Sequence, residues 1–398
     1  MKTINLDLAA AAPIDPAVLE IMLPFLTEHY GNPSSGHNLG AKAREALEEA
    51  RVKVGLLIGA EPRDLIFTSS ASEANNLAIK GLVEANKKKG NHIIASSIEH
   101  FSVLNQLKTL QRYGFTVTLL PVDHDGMVDP EELAAVITDQ TILVSIQMAN
   151  PEIGTIQPIE QLAALVRGKG IAFHTDATAT AGWVPLNVDE MGINLLTLAG
   201  DQFYGPKGSA ALYVRRGTRL MPQIEGGIQE KGLRAGTENV AAIAGLGEAA
   251  RLASESLQER AEKTASIRDQ LKDSLFKVVP YLRLNGHPEK RLPRNLNIAV
   301  EFIEGEALLM RLEMAGIYVS SGSSCASQAL KSSHVLTAIG LPPELAQGSL
   351  QLSLGKESSA EDIPYITEQM AQVAELLRNM SPLYHKFLKE GQKNAPVQ

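Results

Sequence analysis

The sequence predicts an α/β protein: a large unit built on a mostly parallel sheet, and a smaller α+β unit. Three observations point there. Through the middle of the chain, apolar β-type runs alternate with amphipathic helical stretches. The runs are apolar at successive positions rather than every second one, as in strands covered on both faces. From about residue 252 the pattern changes to one long helical stretch, then shorter strands and helices. The strand-like runs are His92-Ile93-Ile94-Ala95-Ser96, Thr116-Val117-Thr118-Leu119-Leu120, Thr141-Ile142-Leu143-Val144-Ser145-Ile146, Ile171-Ala172-Phe173-His174 and Leu195-Leu196-Thr197-Leu198. Helical stretches at 130–137 and 159–168 lie between them, an alternation that builds a layered parallel sheet. The stretch 252–278 is rich in Glu, Lys, Arg and Leu at helical spacing and reads as one helix. Strands at 296–300, 317–320 and 349–354 and helices at 305–315 and 360–380 follow. The polar tail after Lys389 reads as unstructured. The predicted division is a large unit over 14–253 and a small one over 1–13 with 254–398.

The chain has 398 residues, 44% of them hydrophobic, enough to bury more than one core. A formal charge of −8, with no basic cluster interleaved with aromatics, argues against nucleic acid as a partner. No apolar run reaches the roughly 20 residues that span a bilayer. The opening Met1-Lys2-Thr3-Ile4-Asn5-Leu6-Asp7-Leu8 is broken by Asp7, so it reads as strand and loop rather than as a signal peptide. The one cysteine, Cys325, excludes an intrachain disulfide and fits a reducing compartment. A cytoplasmic location is the resulting expectation.

Ser69-Ser70-Ala71-Ser72-Glu73-Ala74-Asn75-Asn76 follows the apolar run Leu65-Ile66-Phe67-Thr68 and opens a helix. Free N–H groups at a helix start favour an anion such as phosphate; an ordinary serine cap explains the same residues. The histidines show no metal-type spacing beyond a single i, i+2 pair, His174 and Asp176. Pro206-Lys207-Gly208 lacks the glycine and hydroxyl pattern of a P-loop.

Several blocks occur in a set order: Gly31-Asn32-Pro33-Ser34-Ser35, the 69–76 segment, Ile98-Glu99-His100, His174-Thr175-Asp176-Ala177, Tyr204-Gly205-Pro206-Lys207-Gly208, Arg234-Ala235-Gly236-Thr237-Glu238-Asn239, Ser321-Gly322-Ser323-Ser324-Cys325 and Ser333-His334-Val335-Leu336. From residue 6 to about 389 the chain resembles the cysteine desulfurases of iron–sulfur cluster assembly, class-V members of the fold-type I pyridoxal-phosphate enzymes. The resemblance implies a fold-type I aminotransferase-like architecture with a seven-stranded sheet, and a homodimer. It implies that His100 stacks on the cofactor ring and that Asp176 holds the pyridine nitrogen. It implies that Ser72, with Thr237 from the partner subunit, holds the phosphate, and that Cys325 attacks the substrate sulfur. Without the resemblance these residues read as a core imidazole, a buried carboxylate, a cap, a turn residue and a small filler.

The departures from the family pattern share one direction. The family reads Ser-Gly-His-Lys before the Tyr-Gly-Pro-Lys-Gly block, and that lysine forms the Schiff base. This chain reads Ala199-Gly200-Asp201-Gln202. An amide is not nucleophilic and forms no imine. Lys207 matches a second lysine of the family and is not a replacement. Asp201 stands where a phosphate-facing imidazole is expected, and a carboxylate there repels phosphate. Pro151 replaces an asparagine that faces cofactor and substrate. Ala179 replaces the glutamine that bonds the phenolic oxygen, and Leu8-Ala9-Ala10-Ala11-Ala12 replaces a polar segment. Gln351 replaces the substrate-carboxylate arginine, a charged hydrogen-bonding partner of about 1.5–3 kcal/mol.

Cys325 stays in its Gly/Ser-rich segment, a composition that favours an accessible thiol over a buried filler. The expected function is therefore sulfur trafficking on a desulfurase fold without lysine chemistry. Cys325 would act as sulfur carrier, metal ligand or ligand of a shared iron–sulfur cluster, docked to a scaffold protein. Sulfide could supply the sulfur. Met380-Ser381-Pro382-Leu383-Tyr384-His385 resembles the family end that meets the scaffold. Two alternatives stay open at this point. One is an enzyme that holds pyridoxal phosphate without a covalent bond. The other is a cofactor-free catalyst using Asp201, Glu152 and His100 as acid or base.

Overall fold

The computed structural model describes residues 3–321 and 333–393. After the short strand β1 (Ile4–Asn5), seven strands form one sheet: β2 (Leu65–Thr68), β3 (His92–Ser96), β4 (Thr116–Leu120), β5 (Thr141–Ser145), β6 (Ala172–Asp176), β7 (Leu195–Ala199) and β8 (Ala210–Val214). Their order is β2-β8-β7-β6-β5-β3-β4. Only β8 runs antiparallel to its neighbours, so the sheet is mostly parallel. Every residue of β3, β5 and β7 is buried, as both-face coverage requires, whereas the edge strand β4 exposes Thr116 and Leu119. The helix Ala71–Asn86 supplies part of that cover, packing Leu77, Ala78, Leu82 and Val83 with Ile93, Leu143, Leu195 and Leu212.

A second layer is antiparallel. β9 (Leu282–Asn285), β10 (Asn295–Val300) and β12 (Ser349–Ser353) lie in the order β12-β10-β9, and β11 (Ile317–Tyr318) pairs in parallel with β1. Leu271 and Leu275 of the helix Leu257–Val278 and Met370 of the helix Ile363–Met380 close over Leu296, Ile298, Leu350 and Leu352. Ile4 and Leu6 belong to the same core, so the N-terminus packs with the last third of the chain.

The structure departs from the sequence expectations in three places. The predicted single helix over 252–278 is two helices, Val240–Glu255 and Leu257–Val278, that break at Ser256. Its hydroxyl donates to the Leu252 carbonyl at 2.8 Å, a local bond that competes with regular helix geometry. The C-terminus continues as the helix Pro382–Lys393, because Tyr384 and Phe387 pack on Phe302 with ring centroids 5.6 and 4.8 Å away. β8 is an additional strand: Ala210-Ala211-Leu212-Tyr213-Val214 follows a Lys-Gly turn closely and fills the gap between β2 and β7.

Candidate functional site

The carboxyl ends of β2, β3, β5, β6 and β7 all open on one side, where α/β sheets place ligand sites. β2 leads into the helix Ala71–Asn86. Ser70 is its cap, accepting from the Glu73 amide at 3.1 Å, while Glu73 takes bonds from Ser69 and pairs with Arg234 at 2.9 Å. Ser72 is exposed in the first turn, and Thr237 is exposed three residues beyond Arg234. β6 ends on Asp176, and β3 leads through Glu99 to His100, which caps the helix Phe101–Arg112.

Asp176 and His100 are joined by a chain of polar groups. Asn75 Nδ2 donates to Asp176 Oδ2 at 2.7 Å and to Ser102 Oγ at 2.9 Å. Ser102 Oγ lies 2.8 Å from His100 Nδ1, which also accepts from the Ser102 amide at 3.1 Å. The Thr178 amide donates to Asp176 Oδ1 at 3.0 Å, so both carboxylate oxygens are already engaged. His174, the other half of the i, i+2 pair, is buried between Ser145 Oγ at 2.9 Å and Thr197 Oγ1 at 3.2 Å. Burial pushes its imidazole down to about 4, so it stays neutral. Among the described residues, no three His, Cys, Asp or Glu side chains gather into a metal-binding group.

Gln202 lies in the turn after β7, and its amide is bonded at both its nitrogen and its oxygen. Gln202 Nε2 donates to the Ala9 carbonyl at 3.1 Å, and Oε1 accepts from Arg294 Nη2 at 2.7 Å. The Gln202 carbonyl accepts from Arg294 Nη1 at 3.0 Å and from Trp183 Nε1 at 2.8 Å. The other departures are similarly absorbed. Gln351 donates to the Pro151 carbonyl at 2.8 Å, so two altered positions bond each other. Ala179 packs with Ala149 and Leu292, and Ala12 with Trp183 and Tyr204. For Asp201, burial raises its pKa, with Lys207 and Arg294 opposing.

Two buried carboxyls flank this region. Glu99 accepts from Ser96 Oγ at 2.6 Å and the Gln147 amide at 2.8 Å; burial pushes it up to about 8. Glu152 accepts from Ser333 Oγ at 2.7 Å and is likewise pushed up to about 8 by burial. Both are predominantly protonated at neutral pH. Cys325, with the catalytic and metal roles expected of it, lies outside the described residues.

The profile of the aminotransferase class-V family matches residues 4–366. The chain belongs to the class-V aminotransferase family. Among this family's members it is 49% identical to cysteine desulfurase IscS 1 of Archaeoglobus fulgidus over 380 residues, 96% of this chain and 99% of the relative. It is 48% identical to cysteine desulfurase IscS of Methanosarcina thermophila over 385 residues, 97% of this chain and 95% of that one. A solved NifS-like protein superposes with a TM-score of 0.89 at 35% identity, covering 94% of this chain and 100% of that structure. The fold is thus the fold-type I aminotransferase-like α/β architecture that the sequence led us to expect. The class-V family implies pyridoxal phosphate. Gln202, set at the imine position by the resemblance, offers an amide bonded at both its nitrogen and its oxygen, which does not fit a covalently held cofactor at that position.

Three residues of this site escaped the sequence reading, Arg294, Trp183 and Ser102, and Asn75 figures in it only as part of the 69–76 block. Among the three, Arg294 left a signal, as a charged residue set between Leu292-Pro293 and the strand β10.

Proposed function

We propose that the protein is a cysteine desulfurase-like component of sulfur trafficking and iron–sulfur cluster assembly that has given up lysine-dependent desulfurase chemistry. In this reading Cys325 is offered to a scaffold protein as sulfur carrier or cluster ligand. The observation that carries it is the bonding of Gln202 to Ala9 and Arg294. It leaves no nucleophile where the family pattern expects its lysine. The bond that Gln351 donates to the Pro151 carbonyl, and the apolar packing of Ala179, support a pocket rebuilt as a unit rather than one damaged at a point. The division into residues 14–253 and 1–13 with 254–398 is part of the same reading.

The expected chemical result is that pyridoxal phosphate leaves no reducible adduct. After borohydride treatment and peptide mapping, no pyridoxyl-lysine should appear. A stoichiometric adduct on Lys207 would overturn this account of the pocket.

The protein is read as a homodimer. Leu19, Leu23 and Leu26 of the helix Pro16–Thr27 are exposed, as is Ile228, at 91% of its surface. Burying such side chains against a second copy is worth roughly 1.5–3 kcal/mol each. The buried ion pair of Arg51 with Glu230, at 2.8 Å, holds the segment that carries Ile228 in place. A sedimentation mass of twice the chain at micromolar concentration is expected; a monomeric mass would contradict it.

A second reading, non-covalent binding of the cofactor, is favoured by one observation: Asp176 and His100 remain linked through Asn75 and Ser102.

A further inference from the structure

Arg294 is the least conventional side chain near the site. It is almost wholly buried, at 2% exposure, and has no carboxylate within ion-pair distance among the described residues. Its guanidinium instead places one nitrogen on each oxygen of Gln202, at 2.7 and 3.0 Å, and lies 4.8 Å from the Trp183 ring centroid. Arg260 approaches the same indole, also at 4.8 Å, and bonds the Gly182 carbonyl. Trp183 in turn donates to the Gln202 carbonyl at 2.8 Å. One indole therefore meets two guanidinium groups; Arg294 and Trp183 converge on the Gln202 carbonyl, and Arg260 holds the carbonyl of Gly182 beside the indole. A buried cation with no carboxylate in contact is costly unless its donors are satisfied and its charge meets a polarisable face, and Asp201 acts on Arg294 only from beyond ion-pair distance. Gln202 and Trp183 supply those two conditions.

We infer that Arg294 and Trp183 are positioning residues that latch Gln202, and that the latch, not the identity of residue 202 alone, closes this site to a covalently held aldehyde cofactor. The inference rests on the reading that residue 202 occupies the imine position. Two physical consequences follow for Gln202→Lys. The Arg294 donor that now meets the amide oxygen loses its acceptor inside the protein, a buried unsatisfied group. The protonated imine would be a second cation beside a guanidinium already out of water, with like charges opposing each other. Removing the guanidinium relieves both.

The test uses the full-length protein incubated with pyridoxal phosphate, reduced with borohydride, and read by intact mass and peptide mapping. Gln202→Lys is compared with Gln202→Lys/Arg294→Asn and Gln202→Lys/Arg294→Gln; the second partner substitution guards against a folding failure of the first. The expected result is at least about tenfold more adduct at position 202 in a double variant than in Gln202→Lys, a difference of about 1.4 kcal/mol. The chain has one tryptophan, so emission from Trp183 reports the latch independently. Arg294→Gln in the otherwise unaltered chain should change its emission maximum and raise its acrylamide quenching. Equal adduct in single and double variants overturns the latch while upholding the assignment of position 202. No adduct in any folded variant overturns the latch as the cause of closure. An adduct on another lysine of the unaltered protein removes the assignment of position 202 itself. Unchanged Trp183 emission in Arg294→Gln also counts against the latch.

Discussion

Cys325→Ala is expected to abolish cluster retention in a reconstituted mixture of this protein with a scaffold protein, iron and sulfide. A thiol of ordinary pKa, about 8.5, is a few per cent thiolate at neutral pH, and a metal ion draws out the rest. If the scaffold supplies three ligands, Cys325 completes the set across the interface. An alanine supplies no ligand atom, so the effect is all or none in the bound cluster rather than a graded weakening. The same substitution removes one heavy atom from a Gly/Ser-rich segment, and a ligand role requires the melting temperature and the dimer mass to stay unchanged. Those two readouts separate a ligand role from a folding role. Clusters held as well by the variant as by the parent would show that Cys325 has no such part.

The sheet was legible because its strands announce themselves locally. β3, β5 and β7 are each five residues, buried throughout, and read as continuous apolar runs. β8 did not stand apart, because its residues follow Tyr204-Gly205-Pro206-Lys207-Gly208, a block whose interest lay in its motif. The break at Ser256 carries neither glycine nor proline, so the heptad-like run on both sides concealed it. The site divides in the same way. Asp176, His100 and Gln202 were named from motif order. Their partners were not, because Asn75 meets Asp176 across 101 residues and Arg294 meets Gln202 across 92. Contacts at that separation follow from topology, which brings strand ends together without leaving a local pattern. The environment of Asp201 illustrates a further gap: burial, invisible in sequence, raises its pKa while Lys207 and Arg294 lower it.

The second large effect concerns turnover of cysteine. Desulfuration through an imine needs a lysine at the pocket and a cation for the substrate carboxylate. Here the two positions hold Gln202, bonded to Arg294 and Ala9, and Gln351, bonded to the Pro151 carbonyl. Gln202→Lys with Gln351→Arg should also remain a poor enzyme. Pro151, Ala179 and Asp201 are unchanged in it, and Arg294 faces the new amine. Quantifying alanine released from L-cysteine by the unaltered protein, in the presence of added pyridoxal phosphate and a thiol reductant that discharges persulfide as sulfide, tests the central claim most directly. Alanine at the level of a protein-free control is the predicted result, whereas sustained, stoichiometric release of alanine and sulfide over many turnovers would contradict it.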